Sequence, residues 1–162
     1  MTDSIAGDSG VHVMGYSAFV LVLIIIVLIM KHIVVVAAVI ITDQKILCVQ
    51  RNKNRHEYIS YKYEFPGGKV EKGETLQDAL RREIQEELKL DIRIDRHFLT
   101  VEHAYPDFSI TLHSFLCSCA TRDLTLTEHI DARWMPVDLI ATLDWAEADI
   151  AIVDKIVYEG EW

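Results

Sequence analysis

Glu83, Glu86 and Glu87 sit close together in a segment whose apolar residues Leu76, Ala79, Leu80, Ile84 and Leu88 recur every three or four positions. That period predicts an amphipathic helix over Thr75 to Leu88. On such a helix Glu83 and Glu87 are one turn apart and Glu86 is three residues from Glu83, so the three carboxylates crowd one side. Like charges at that spacing destabilise an isolated helix by a few tenths of a kcal/mol per pair. The arc of acids lies beside the apolar stripe rather than opposite it, and glycines precede it, where backbone carbonyls can approach a cation closely. Hard oxygen ligands of this kind suit Mg²⁺, with Mn²⁺ as the alternative, ions that keep some of their waters and bridge to phosphate oxygens. Arg82, four residues before Glu86, is placed to hold that carboxylate by a charge-assisted bond.

The elements around this helix read as strands. Ile33 to Ile41 is short and rich in β-branched residues, a buried strand, and Thr42 to Lys45 is a polar turn leading to a partner strand at Ile46 to Gln50. Arg51 to Ser60 is polar and basic without a period, a surface loop, and Pro66-Gly67-Gly68 breaks regular structure after a short segment at Tyr61 to Phe65. Asp91 to His103 and Ser109 to Cys119 form two further strands joined through Tyr105-Pro106-Asp107, with a last short strand at Arg133 to Met135. Val137 to Leu143 and Glu147 to Val157 read as closing helices. The sum is a mixed α/β domain of the layered, α+β kind.

At 162 residues the chain has room for one domain with a proper core. A net charge of −9 opposes general affinity for duplex nucleic acid, yet an acidic protein still binds a polyphosphate when a divalent cation sits between the two sets of negative charge. Cys48, Cys117 and Cys119 have no metal-ligand or redox spacing and are odd in number, which makes them buried thiols of a reducing compartment. Residues 1–30 differ from the rest. Ala18 to Met30 is an unbroken apolar run, and counting back to Met14 only just reaches the roughly 17 residues that a spanning helix needs. With no basic residue before it and no cleavage site after it, it is not a signal peptide. The expectation is a misassigned start, with Met30 as the true one. The alternative is a membrane anchor over residues 14–30, with Lys31 favouring a cytoplasmic catalytic domain. The domain proper is residues 31–162.

The stretch from Gly68 to Leu90, GKVEKGETLQDALRREIQEELKL, resembles the Nudix signature G-x5-E-x7-R-E-U-x-E-E-x-G-U, where U is apolar. Gly68, Glu74, Arg82, Glu83, Ile84, Glu86, Glu87 and Leu90 match it in one register. One fixed position departs: Lys89 stands where the family has a glycine that ends the helix in a left-handed conformation, at a cost of roughly 1 kcal/mol. The flank Tyr63 to Glu71 resembles the MutT-type 8-oxo-dGTP diphosphatases and their pyrimidine-nucleotide relatives, and the likeness runs on through Glu128-His129, Trp134 and Ala148-Asp149.

The resemblance implies a Nudix α/β/α sandwich with a mixed sheet, and hydrolysis of nucleoside triphosphates to a monophosphate and pyrophosphate in the cytoplasm, with no direct nucleic-acid binding. It implies Glu83, Glu86, Glu87, Glu128 and the Gly67 carbonyl as metal ligands, and Glu83 as general base assisted by Arg82 and Glu86. It gives Glu74 the role of a brace. Arg51 and His56 would contact phosphate or sugar, and the backbone of Glu64, Phe65, Pro66 and Gly67 with the side chain of Asp149 would line the base pocket. The bacterial enzymes that hydrolyse oxidised guanine nucleotides have Asn where Asp149 stands; a carboxylate accepts hydrogen bonds when ionised and donates one only when protonated. Oxidised guanine, cytidine nucleotides and oxidised pyrimidines therefore remain open. So do ADP-ribose and dinucleoside polyphosphates, for which Tyr105 and Pro106 lie near marker positions, although MutT-type chains carry a Pro-Asp hairpin there as well.

Overall fold

The alternation of the first strand sets the architecture. In the computed structural model, which describes residue 20, residues 30–160 and residue 162, β1 runs from Lys31 to Thr42. Val36, Ala38 and Ile40 face one way and Ala37 and Val39 the other, and all five are buried. A strand apolar on both faces has to lie between two layers, and two cores form accordingly. On one face Val36, Ala38 and Ile40 meet Leu47 and Val49 of β2 (Lys45–Gln50) and Phe115 and Cys117 of β6 (Phe108–Cys119). Over them packs the apolar stripe of helix α1 (Leu76–Leu88), through Ala79, Leu80, Ile84 and Leu88. On the other face Ala37 and Val39 meet Ile46, Ile110, Leu112 and Leu116 beneath Ala148, Ile152 and Val153 of helix α2 (Glu147–Asp154).

The sheet is mixed. β1 pairs in parallel with β6, and β6 pairs antiparallel with β5 (Ile92–Ala104) through a hairpin at 105–107. On its other side β1 pairs antiparallel with two partners in turn: with β2 at Ile41 and Thr42, and with β4 (Gly67–Lys69) at Val35 to Ala37. β2 continues between β3 (Tyr63–Glu64) and β7 (Asp131–Pro136). The expected α/β/α layering is present.

Four details differ from the sequence reading. Pro66-Gly67-Gly68 is expected to break regular structure, yet Gly67–Lys69 pairs as a strand; a Cβ on Gly67 would stand 2.1 Å from the Val36 carbonyl oxygen, so glycine is what lets this backbone pass against β1. The loop from Arg51 to Ser60 contains a 3-10 turn at Glu57–Ile59 with Ile59 buried. Val137–Thr142 is a 3-10 segment. The last helix keeps α geometry only to Asp154 and widens into a π turn at Lys155–Glu159. The apolar run at 18–30 lies, apart from residues 20 and 30, outside the described residues, so the readings placed on it lie there as well. Among the described residues no helix is long and apolar enough to cross a membrane.

Candidate active site

Helix α1 is fixed at both ends. Thr75 caps its start, accepting from the Asp78 amide at 3.1 Å, as N-cap hydroxyls do. At the other end Lys89 takes the left-handed conformation (φ 53°, ψ 33°) that the missing glycine would have taken. A strap at 125–127 satisfies the final carbonyls: the Thr125 amide donates to Leu88 O (2.8 Å), the Thr127 amide to Glu87 O (3.0 Å) and the Thr127 hydroxyl to Glu86 O (3.0 Å).

The acids occupy the C-terminal half of this helix, where the macrodipole is negative, and no basic residue stands in its last turn. A carboxylate there is unfavourable by about 0.3–1 kcal/mol. Arg82 offsets part of this. Its Nη1 donates to Glu83 Oε1 (2.9 Å) and to Glu86 Oε2 (3.3 Å), while Nε and Nη2 grip both oxygens of Glu74 (2.7 and 2.9 Å) and Nη2 also reaches the Lys69 carbonyl (3.0 Å). The bond to Glu86 is thus the longest of several, and the main partner of Arg82 is Glu74. The guanidinium and the Glu71 amide pull the Glu74 carboxyl down to about 2. Gly68 leaves room for Glu83, whose carboxyl carbon would be 2.4 Å from a Cβ at that position.

Glu87 has no such counterion. It is buried, its Oε2 has no hydrogen-bond partner, and burial pushes its carboxyl up to about 8, with the charges of Glu64, Glu83 and Glu128 adding to the shift against the opposing charge of His129. An orphaned carboxylate oxygen among other acids is a group that a cation completes. Among the described residues no closed cluster of three ligands is formed.

The acids open onto a cleft of about 990 Å³. Gly67, Glu83, Glu86, Glu87 and Glu128 border it, as do Arg51, His56, Glu64, Phe65 and Asp149 from the nucleotide set. Pro66 does not. Its carbonyl accepts from the Ala38 amide at 2.8 Å, beside the pairing of β4 with β1. His56 borders the cleft, but its Nε2 accepts from Arg55 Nε (2.8 Å) and its Nδ1 donates to Asp107 Oδ2 (3.0 Å). Both ring nitrogens are engaged before any ligand arrives. Asp149 is buried in the first turn of α2 and accepts from the Phe65 amide at 3.0 Å; burial and the nearby Glu64 raise its carboxyl to about 8.

Asp107, which borders the cleft, and Tyr58 and His129, which do not, have no site role in the sequence reading. Asp107 receives the Tyr58 hydroxyl as well as His56, and Tyr58 stacks on Tyr105 with ring centroids 5.4 Å apart, so the β5–β6 hairpin and the basic loop form one wall. His129 is buried and donates to Glu64 Oε1 at 2.9 Å, with Arg51 on the other oxygen. Burial opposes charge on the His129 ring, but the bond to Glu64 and the charges of Glu64 and Glu87 outweigh it and raise its pKa. Cys48 and Cys117 are buried, with both thiols raised to about 12, which makes them inert core groups.

A family model described as NUDIX domain matches residues 31–156. An 8-oxo-dGTP diphosphatase of Escherichia coli (strain K12) is 30% identical over 114 residues, 70% of this chain and 87% of that protein. The 8-oxo-dGTP diphosphatase of Proteus vulgaris is 46% identical over 63 residues, 39% of this chain, a segment that spans 56% of that relative's length. Among solved structures, the mismatch repair protein MutT of methicillin-resistant Staphylococcus aureus 252, a Nudix hydrolase, is 42% identical with a TM-score of 0.64, covering 81% of this chain and 99% of that one. With the glutamate helix, its arginine brace and the mixed sheet that carries them all in place, these matches establish that the chain belongs to the Nudix hydrolase family.

Proposed function

We propose that residues 31–162 form a divalent-metal-dependent pyrophosphohydrolase that converts nucleoside triphosphates, oxidised purine nucleotides foremost, to a monophosphate and pyrophosphate. It would act on free nucleotides in the cytoplasm. The observation that carries this reading is Glu87: a buried, unpartnered carboxylate among other acids at the negative end of a helix is unfavourable unless a cation is part of the working molecule. Glu83, Glu86, Glu87 and Glu128, with the Gly67 carbonyl, would hold Mg²⁺. Bound there, the ion supplies neutralisation of the triphosphate and acidification of the attacking water.

The chain's own residues do the rest. Glu83, steadied by Arg82 at 2.9 Å, takes the proton of the water that attacks phosphorus in line, and the leaving pyrophosphate departs with the electron pair of the broken P–O bond. Arg82 and Glu74 hold the helix-and-loop frame so that Glu83 meets that water in one orientation. Arg51 binds phosphate or sugar. Asp149, protonated near neutrality, offers a hydroxyl donor to the base, which suits a purine O6. That donor is the specific feature favouring purines over cytidine nucleotides.

The deciding experiment is a pyrophosphate-release screen over normal and oxidised nucleoside triphosphates with Mg²⁺. Turnover of an oxidised purine triphosphate, lost by orders of magnitude in Glu83→Gln with the fold intact, is the expected result. Turnover of ADP-ribose or a dinucleoside polyphosphate with no release from any triphosphate would overturn it.

A further inference from the structure

Three segments meet beside the cleft through a single carboxylate. Arg51 follows β2, Glu64 ends β3 and His129 precedes β7. Glu64 Oε2 accepts from Arg51 Nε at 2.5 Å and Oε1 accepts from His129 Nε2 at 2.9 Å. The side chains of Glu64 and His129 are 14% and 5% exposed. The backbone joins the same segments: the Arg51 amide donates to Lys62 O and the Ile130 amide to Gln50 O, both at 3.0 Å. Strand pairing thus sets where the three side chains start, and the two side-chain bonds set how they are turned.

Two consequences follow for ligand binding. Each oxygen of Glu64 already accepts a bond, so this carboxylate is occupied as a strut and is not left for a base. Arg51 spends only Nε on Glu64. Its terminal nitrogens have no hydrogen bond to any described residue, and the side chain borders the cleft at 35% exposure. A guanidinium is planar, so fixing Nε against a carboxylate fixes the direction of the Nη edge. His129 in turn has no partner for Nδ1, which is buried. Burying that nitrogen unpaired opposes folding, so the Nε2 bond to Glu64, rather than packing, accounts for an imidazole here.

We infer that His129 is a positioning residue for the nucleotide: by holding Glu64 it holds the plane of Arg51, whose Nη edge is thereby presented to the phosphate or sugar of the ligand. The inference rests on the nucleotide reading above and adds to it a residue that touches no substrate. Loss of the Nε2 bond lets the Glu64 carboxylate swing and the Arg51 edge turn with it.

The test uses the full chain with His129→Gln and His129→Asn. The amide nitrogen of Gln reaches about where Nε2 sits, whereas that of Asn stops at the depth of Nδ1. His129→Asn is expected to raise KM for the triphosphate about tenfold with kcat within about twofold, in line with one lost charge-assisted bond; His129→Gln is expected to stay within about threefold of the parent KM. In an Arg51→Ala background His129→Asn should add nothing, because it acts through Arg51. Equal KM for the two variants, or additive effects with Arg51→Ala, would overturn the inference. A second readout needs no turnover: in metal-free protein the Arg51 Nε–H resonance should exchange slowly in the parent and in His129→Gln and fast in His129→Asn, and an unchanged resonance in His129→Asn also overturns it. If the parent hydrolyses no triphosphate, the functional reading falls and this resonance still decides the positioning claim. If His129→Asn does not fold, His129→Gln alone decides: a tenfold rise in its KM refutes the role assigned to Nε2.

Discussion

Without metal, the Glu87 carboxyl should make the protein less stable as the pH rises. Its folded value is about 8 against an ordinary 4.5, because burial penalises the charged form. Between those values the folded state keeps a proton that the unfolded chain has released, so stability is full below pH 4.5 and declines as the pH rises through 8. At about 1.4 kcal/mol per pH unit the loss attributable to Glu87 is about 3–5 kcal/mol. Asp149, also raised to about 8, and His129, raised above its ordinary value, contribute in the same direction, so the parent slope alone is not diagnostic. Glu87→Gln, neutral at every pH and nearly isosteric, isolates the first contribution. The assay is urea unfolding at pH 5, 6, 7 and 8.5 in a chelator. With a urea m-value of about 1–3 kcal/mol/M, the parent midpoint should fall by about 1–5 M more than that of Glu87→Gln over this range. Added Mg²⁺ should shrink the difference, because the ion binds the deprotonated carboxylate and opposes the proton. Parallel pH curves for the two proteins in chelator would refute the account of Glu87 as a buried acid held for a cation.

Lys89→Gly should stabilise the fold by about 0.5–1 kcal/mol, since glycine takes the left-handed conformation without a Cβ clash but costs more unfolded-chain entropy; calorimetry should show a higher Tm, and a lower one contradicts the cap geometry. Glu74→Ala leaves Arg82 without its main partner and should lower kcat by about 10²-fold through misplacement of Glu83, with little change in the pH at which activity is half-lost. Asp149→Asn keeps an acceptor for the Phe65 amide and cannot ionise; the parent kcat/KM for an oxidised purine should fall as the pH passes about 8, and the variant should lack that limb.

The glutamate helix was legible because what marks it is local: the stripe of Leu80, Ile84 and Leu88, and the spacing of Glu83, Glu86 and Glu87. Its left-handed end was also readable, since Lys89 occupies the position of a known stop. The strands around Ile33 and Ser109 declared themselves by β-branched and apolar runs, and only their ends moved. What the chain could not declare were contacts made by long-range pairing. Arg51, Glu64 and His129 are separated by up to 78 residues and meet because β2 lies between β3 and β7. Likewise His56 reads as a free basic side chain until the β5–β6 hairpin brings Asp107 against it. Pro66-Gly67-Gly68 was misread because two glycines usually interrupt a strand, whereas here the missing side chain of Gly67 is the condition for pairing with Val35 to Ala37.

The strap at 125–127 has a bearing on which length changes this domain tolerates. By clasping the end of helix α1 it turns the connection from β6 to β7 into a ruler, with Glu128 delivered one residue beyond Thr127 wherever that threonine is anchored. Extra residues at 120–123 would strain the Arg122 bond to the Thr42 carbonyl and the Trp134 bond to the Arg122 carbonyl, but would leave Glu128 where Thr127 sets it. A single insertion between Thr127 and Glu128 would slide the acid past Glu87, so tolerance to lengthening should change abruptly within a few positions of one short loop.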